Sequence, residues 1–149
     1  MDAASICTRD VVSCRRDTTL LDAARLMRDS HVGDLIVVDG PPERASPVGI
    51  LTDRDVVLAV VAPGVDPSTL FVGEVMSSPA ILAYAWENLW EVASRMRLHG
   101  VRRMPVMGQS GEMIGVIAFD DLLEAASGLV SSLCHAAGRQ PYFEEKRRA

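Results

Sequence analysis

The chain predicts a mixed α/β (α+β) fold made of two copies of a β-α-β-β-α unit. Three observations carry this. Gly49-Ile50-Leu51-Thr52-Asp53-Arg54-Asp55 recurs as Gly115-Val116-Ile117-Ala118-Phe119-Asp120-Asp121, an offset of 66 residues (115 − 49). Upstream the match holds at an offset of 69 (89 − 20): Leu20, Ala23, Ala24 and Met27 fall on Leu89, Val92, Ala93 and Met96. Ile6, Val12, Val32 and Val37 likewise fall on Val75, Ile81, Val101 and Val106. The change of offset is absorbed in one loop, because Asp39 to Val48 is longer than Gly108 to Ile114. A repeat this long is a whole supersecondary unit, so function is sought between the copies.

Each copy reads in the same order. A short extended segment comes first, at Val11-Val12 and at Ala80-Ile81-Leu82. A helix follows, with Thr18 or Thr19 as N-cap and an i, i+3, i+4, i+7 apolar stripe. Its stop falls near His31-Val32-Gly33 in copy one and near Gly100 in copy two. Leu35-Ile36-Val37-Val38 is a continuous apolar run, as a doubly buried strand requires. A Gly- and Pro-rich loop leads to Val48-Gly49-Ile50-Leu51; copy two has Met104-Pro105-Val106-Met107, a turn, and Ile114-Gly115-Val116-Ile117. A second helix starts at Asp53 and is expected to bury Val56, Val57 and Val60. Its counterpart is expected to bury Leu122, Leu123 and Ala126 and to run towards His135. The domains are therefore residues 1–62, a Pro/Gly linker over 63–69, residues 70–130, and a helix end with a polar tail over 131–149.

Composition narrows the function. The chain has 149 residues, 48% of them hydrophobic, enough for a real core. The net charge of −5 provides no general attraction to nucleic acid or anionic membrane. No signal peptide is read at the N-terminus, and the longest apolar run, Val56 to Ala62, is too short for a bilayer. A cytoplasmic protein is expected. Cys7, Cys14 and Cys134 form no C-x-x-C spacing, so they read as small buried or half-buried thiols, with neither disulfide nor metal. His31 and His99 read as solvent-facing or capping residues. Trp86 and Trp90 correspond to Asp17 and Leu21, so aromatics in one copy only point to a contact outside the repeat, or to burial within the monomer.

Gly49-x-x-Thr52-x-x-Asp55 sits where a strand becomes a helix. A helix start suits an anion such as phosphate. The Thr52 hydroxyl can hydrogen-bond a phosphate or sugar, the Asp55 carboxylate can accept both ribose hydroxyls, and Gly49 permits close approach of the backbone. The same Thr-x-x-Asp pattern is a capping box, which needs no ligand. In copy two Ala118 cannot cap, yet Asp121 is retained.

The two copies resemble cystathionine-β-synthase (CBS) domains, and the chain resembles a stand-alone CBS pair. The carriers are residues 49–55, Val-Arg-Arg-Met-Pro-Val at 101–106, His-Val-Gly-Asp-Leu-Ile-Val-Val-Asp at 31–39 and Val-Met-Ser-Ser-Pro at 75–79. The resemblance covers roughly residues 3 to 130. It implies two units packed through their sheets with pseudo-twofold symmetry, and two clefts that in relatives take AMP, ADP, ATP or S-adenosylmethionine. It also implies further association into a disc-shaped homodimer. By position it makes Asp55 and Asp121 the ribose acceptors and places Thr52 near phosphate. Val12, Ile36, Ile81 and Pro105 fall near the adenine slots. Arg102 and Arg103 pair either with phosphate or with a carboxylate of the chain itself, and Arg54 reaches phosphate or points to water. With Ala118 and Phe119 in copy two, unequal sites are expected, the one at Thr52 and Asp55 being the better.

The function expected is a regulatory adenosyl-ligand sensor, acting on a separate partner protein with no catalytic constellation of its own. The alternative is a ligand-free interaction module that dimerises and docks a partner.

Overall fold

The computed structural model describes residues 1–148. In chain order it contains α1 (Ala3–Ile6), β1 (Ser13–Cys14), α2 (Leu20–Ser30), β2 (Asp34–Asp39), β3 (Ser46–Thr52) and α3 (Asp53–Val56). These are followed by α4 (Val72–Val75), β4 (Ala83–Tyr84), α5 (Leu89–His99), β5 (Arg103–Met107), β6 (Met113–Ala118) and α6 (Phe119–Arg148). Two three-stranded sheets form, ordered β1-β2-β3 and β4-β5-β6. In each the first pair is parallel and the second antiparallel.

The long helices start and stop as their sequences dictate. Thr19 caps α2 by accepting the Asp22 N–H at 3.1 Å, and Asn88 caps α5 by accepting the Glu91 N–H at 3.0 Å. Both end on a left-handed residue, Gly100 at φ 64° and His31 at φ 55°. The stop in copy one is thus His31, within the expected His31-Val32-Gly33, and the left-handed residue is the histidine itself. The stripe packs inward: Leu20, Ala23 and Met27 lie in the first core with Leu35, Val37 and Leu51. Val92 and Met96 lie in the second with Met104, Val106 and Ile117.

Each unit opens with a short helix absent from the predicted β-α-β-β-α order, and these helices are exchanged. Ala3 of α1 is buried in the second core, and Val72 of α4 in the first. After α1 the chain stays on the second unit along β6, where Thr8 and Val116 exchange two backbone hydrogen bonds of 2.9 Å, before crossing to its own sheet. After α4 it likewise runs along β3 of the first unit, where Ser77 and Ile50 exchange bonds of 2.9 and 3.0 Å. Thr8 corresponds to Ser77 (offset 69) and Ile50 to Val116 (offset 66), so the two crossings are related by the pseudo-twofold.

The crossings explain two departures from expectation. The first strands lie at Ser13–Cys14 and Ala83–Tyr84 rather than at Val11-Val12 and Ala80-Ile81-Leu82, because the earlier residues are spent returning from the other unit. The Ala80 N–H, for example, donates to the Val48 carbonyl at 3.1 Å. Gly49, expected to admit a ligand, instead admits the crossing chain. A Cβ there would lie 2.7 Å from both Met76 Sδ and the Ser77 carbonyl, and one at Gly115 would lie 2.6 Å from the Thr8 carbonyl.

The helices after β3 and β6 differ. α3 passes into a π-helical turn over Val57–Val61 and stops at Pro63-Gly64. The wider turn rotates the helix face. Val60 is buried and Val56 packs on the core, but Val57, expected inside, is exposed together with Leu58 and Val61. In α6 only Leu122 of the expected trio packs on the core; Leu123 and Ala126 face solvent. α6 continues through Arg148, so the segment read as a polar tail forms its last turns. Cys7 and Cys14 are half-buried and buried, but Cys134, on α6, is exposed. Burial raises the Cys7 thiol and pushes Cys14 up to about 11.

An ion pair in copy two has no counterpart in copy one, where Leu26 stands in place of Arg95 and Thr18 in place of Glu87. Arg95 clasps Glu87 with both guanidinium nitrogens and donates to the Leu82 carbonyl at 2.7 Å. Glu87 also accepts the Tyr84 N–H at 2.8 Å. Burial pushes the Glu87 carboxyl up, but the Arg95 bond and the Tyr84 N–H outweigh it, leaving it below its ordinary 4.5. The stabilisation is therefore present above pH 4.5 and is lost as the pH falls through the lower folded-state value. Glu87→Gln is expected to lower the unfolding free energy at pH 7 by about 1–3 kcal/mol. In urea melts at several pH values, the gap to wild type should narrow below the ordinary carboxylate range.

Candidate functional site

The crossings create two clefts at pseudo-equivalent places. The larger, about 520 Å³, lies where residues 77–81 of repeat two pass over the start of α3. Thr52, Asp53, Arg54 and Asp55 form one wall, Ser77, Pro79, Ala80 and Ile81 another, and Arg102, Arg103, Phe119 and Asp120 close the far side. This volume lies in the range of small-molecule sites. The smaller cleft, about 190 Å³, is lined by Val11, Val12, Asp34, Ile36, Arg103, Ala118 and Asp121, with Thr8 and Asp10 at the crossing.

Of the expected residues, Thr52, Arg54, Asp55, Ile81, Arg102 and Arg103 thus meet in the large cleft, and Val12, Ile36 and Asp121 in the small one with Arg103 again. Pro105 borders neither. It pairs with Val116 in the β5–β6 ladder and is fully buried. Asp53, Asp120 and the 77–80 segment were not expected at a site, and Phe119, expected beside the copy-two site, borders the large cleft instead. The repeat offset was the available signal, since Ser77 to Ile81 map onto Thr8 to Val12.

Thr52 and Asp55 form a complete capping box. The Thr52 Oγ1 accepts the Asp55 N–H at 3.1 Å, and Asp55 Oδ2 accepts the Thr52 N–H at 2.9 Å. Among the described residues only one oxygen of the Asp55 carboxylate is engaged, which leaves Oδ1 for a ligand. Asp121 persists without a capping hydroxyl for the same reason: its Oδ2 accepts the Ala118 N–H at 2.7 Å. That is half a capping box, with the Asp121 N–H lacking its side-chain acceptor.

The three arginines differ in how they are held. Arg103 Nη1 lies 2.7 Å from Asp34 Oδ1, and the Asp34 side chain is only 13% exposed. Burial pushes the Asp34 carboxyl up, Arg103 pulls it down, Asp53 adds to the rise, and the net position is above the ordinary range. Arg102 is exposed, with its guanidinium 5.3 Å from the Phe119 ring and 4.0 Å from Asp120, a pairing of little energy at the surface. Arg54 is exposed and has no ion pair among the described residues. Trp86 and Trp90 are both exposed, Trp90 at 82%, with Trp86 stacked on Tyr84 at 5.2 Å. Among the described residues, no group of three or more His, Cys, Asp or Glu side chains is arranged to hold a metal ion.

The CBS domain family matches residues 3–62 and 72–128, the two units that exchange their opening helices. The chain belongs to the CBS domain family. It is 32% identical over 120 residues to hypoxic response protein 1 of Mycobacterium tuberculosis, covering 80% of this chain and 81% of that protein. The crystal structure of Hypoxic Response Protein I with two coordinated zinc ions matches at a TM-score of 0.69 and 31% identity, covering 83% of this chain and 98% of that one. Protein MK0525 of Methanopyrus kandleri is 29% identical over 133 residues, 89% of this chain, and the chain spans 66% of its length. The CBS domain pair of protein MJ0100, solved with 5′-methylthioadenosine and S-adenosyl-L-methionine, matches at a TM-score of 0.73. It is 20% identical, covering 86% of this chain and 97% of that one, which is a likeness of fold. No described helix of this CBS pair is long and apolar enough to cross a membrane.

The half-built cap is directly testable. Ala118→Thr supplies the missing acceptor for the Asp121 N–H and should raise the unfolding free energy by about 0.5–1 kcal/mol, while Thr52→Ala should lower it by about 1 kcal/mol. Chemical denaturation of both variants checks this.

Proposed function

We propose that this CBS pair is a regulatory module that binds one adenosyl ligand (AMP, ADP, ATP or S-adenosylmethionine) in the larger cleft. The observation that carries this is the convergence there of Thr52, Arg54 and the free oxygen of Asp55 from one repeat with Ile81, Arg102 and Arg103 from the other. Asp55 Oδ1 accepts ribose hydroxyls, Thr52 and the arginines face the phosphates, and Ile81 with Ala80 offers an apolar wall to the base. Phe119 adds an aromatic face at the mouth. The fold supports the choice, since the MJ0100 pair holds two adenosyl compounds. The ligand touches both repeats, so binding favours one of their arrangements over another by its difference in affinity. That difference is the signal passed to a separate partner protein.

The second reading, a ligand-free interaction module, is favoured by the completeness of the Thr52–Asp55 capping box without any ligand. Calorimetric titration with the four compounds separates the two. Asp55→Asn is the informative variant, because it keeps a cap acceptor for the Thr52 N–H while removing the carboxylate. Saturable binding at one site per chain, weakened at least about tenfold in the variant, is expected, a loss of about 1.4 kcal/mol. Silence from all four with folded protein would move the assignment to the interaction module.

Self-association belongs to the same proposal. Val57, Leu58 and Val61 of repeat one and Leu123, Leu129, Val130 and Leu133 of α6 are exposed. Leu122, Ala126, Leu129 and Leu133 step by four and three residues, as a helix–helix seam does. The expected state is a homodimer. Light scattering should show it, and Leu129→Glu with Leu133→Glu should return the monomer mass.

A further inference from the structure

Arg103 borders both clefts, and its ion pair among the described residues is with Asp34, which occupies the equivalent position in the other repeat (34 + 69 = 103). The bridge therefore sits at the pseudo-twofold. Asp34 lines the small cleft, and the charged groups facing it are Arg103 from β5 and Asp53 from the start of α3. Asp53 borders the large cleft, where its Oδ1 accepts the Arg54 N–H at 2.8 Å. The small cleft carries three carboxylates, Asp10, Asp34 and Asp121, against the single cation Arg103. At about 190 Å³ it falls below the usual range for a small-molecule site.

We propose that Arg103 is a latch between the clefts, and that Asp34 competes with a ligand phosphate for it. With the latch closed on Asp34, the small cleft stays constricted and Arg103 is withheld from the large cleft. A phosphate group in the large cleft draws the guanidinium towards itself, since Arg can turn its planar fork from one oxyanion to another. Asp34 is then left beside Asp53 without its counter-charge, so anion binding is weakened by the cost of opening the pair. Asp34 thereby sets the threshold for phosphate-bearing ligands and discriminates against them relative to an uncharged nucleoside. Opening the latch also frees the wall of the small cleft and leaves it more acidic. Occupancy of one cleft is thus communicated to the other through a single side chain.

The part that concerns nucleotides rests on the adenosyl reading above, and the test separates the two. Wild type and Asp34→Asn are titrated with inorganic pyrophosphate and, in parallel, with AMP and adenosine. Asp34→Asn is near-isosteric and removes only the competing charge. The variant should bind pyrophosphate and AMP at least about fivefold more tightly, the lower end of ordinary coupling between sites, with adenosine unchanged. Arg103→Gln should weaken both anions and abolish the gain when combined with Asp34→Asn. Equal pyrophosphate affinity in wild type and Asp34→Asn, or an adenosine gain as large as that of AMP, would overturn the latch. A gain for pyrophosphate with no binding of AMP or adenosine to either protein would support the latch and sink the nucleotide reading. If Asp34→Asn does not fold, Arg103→Gln decides: undiminished pyrophosphate binding overturns the proposal.

Discussion

Everything in this molecule hangs on two places where one repeat's backbone lies directly on the other's. Ser77 meets Ile50 and Thr8 meets Val116, each through a reciprocal pair of hydrogen bonds, and each crossing passes over a glycine because a Cβ would strike it. The consequence is an exchange of helices that completes both cores: α1 supplies Ala3 to the second and α4 supplies Val72 to the first. Neither unit has a finished interior alone. The crossings also roof the two clefts, so the contact that stabilises the pair is the contact that shapes them.

The backbone is nearly symmetric, but the chemistry placed on it is not. At equivalent positions Asp34 faces Arg103, Thr52 becomes Ala118, and Asp53 becomes Phe119. The first substitution turns a point of symmetry into an ion pair. The second removes a hydroxyl from one cap, and the third replaces a charge with an aromatic ring. Together they leave one cleft roomy and mixed in charge and the other narrow and acidic. Duplication supplies two frames, and a few side chains decide what each can hold.

In the proposed site, capping and recognition would share atoms. In the Thr52–Asp55 box one carboxylate oxygen satisfies the helix start, while the other is held at the cleft wall in a fixed direction. A carboxylate already ordered by its own backbone loses little freedom when a ligand arrives. The choice between a structural cap and a binding group, which the sequence poses as an alternative, is one the geometry does not require.

Sequence alone determined the duplication, the two sheets and the inward face of α2 and α5, because periodic apolar positions and helix caps are local signals. It also picked out Thr52 and Asp55, since a motif at a strand-to-helix junction can be read residue by residue, whereas Arg102 and Arg103 were named only by what the family resemblance implies. Tertiary structure decided the rest. The exchange of α1 and α4, the true role of Gly49, the burial of Pro105 and the outward turn of Val57, Leu123 and Ala126 all depend on what lies across from a residue in space. So does the pairing of Asp34 with Arg103, which are 69 positions apart and carry opposite charges only because the two repeats diverged. A repeat offset shows that two residues are equivalent; only packing around the pseudo-twofold makes them neighbours.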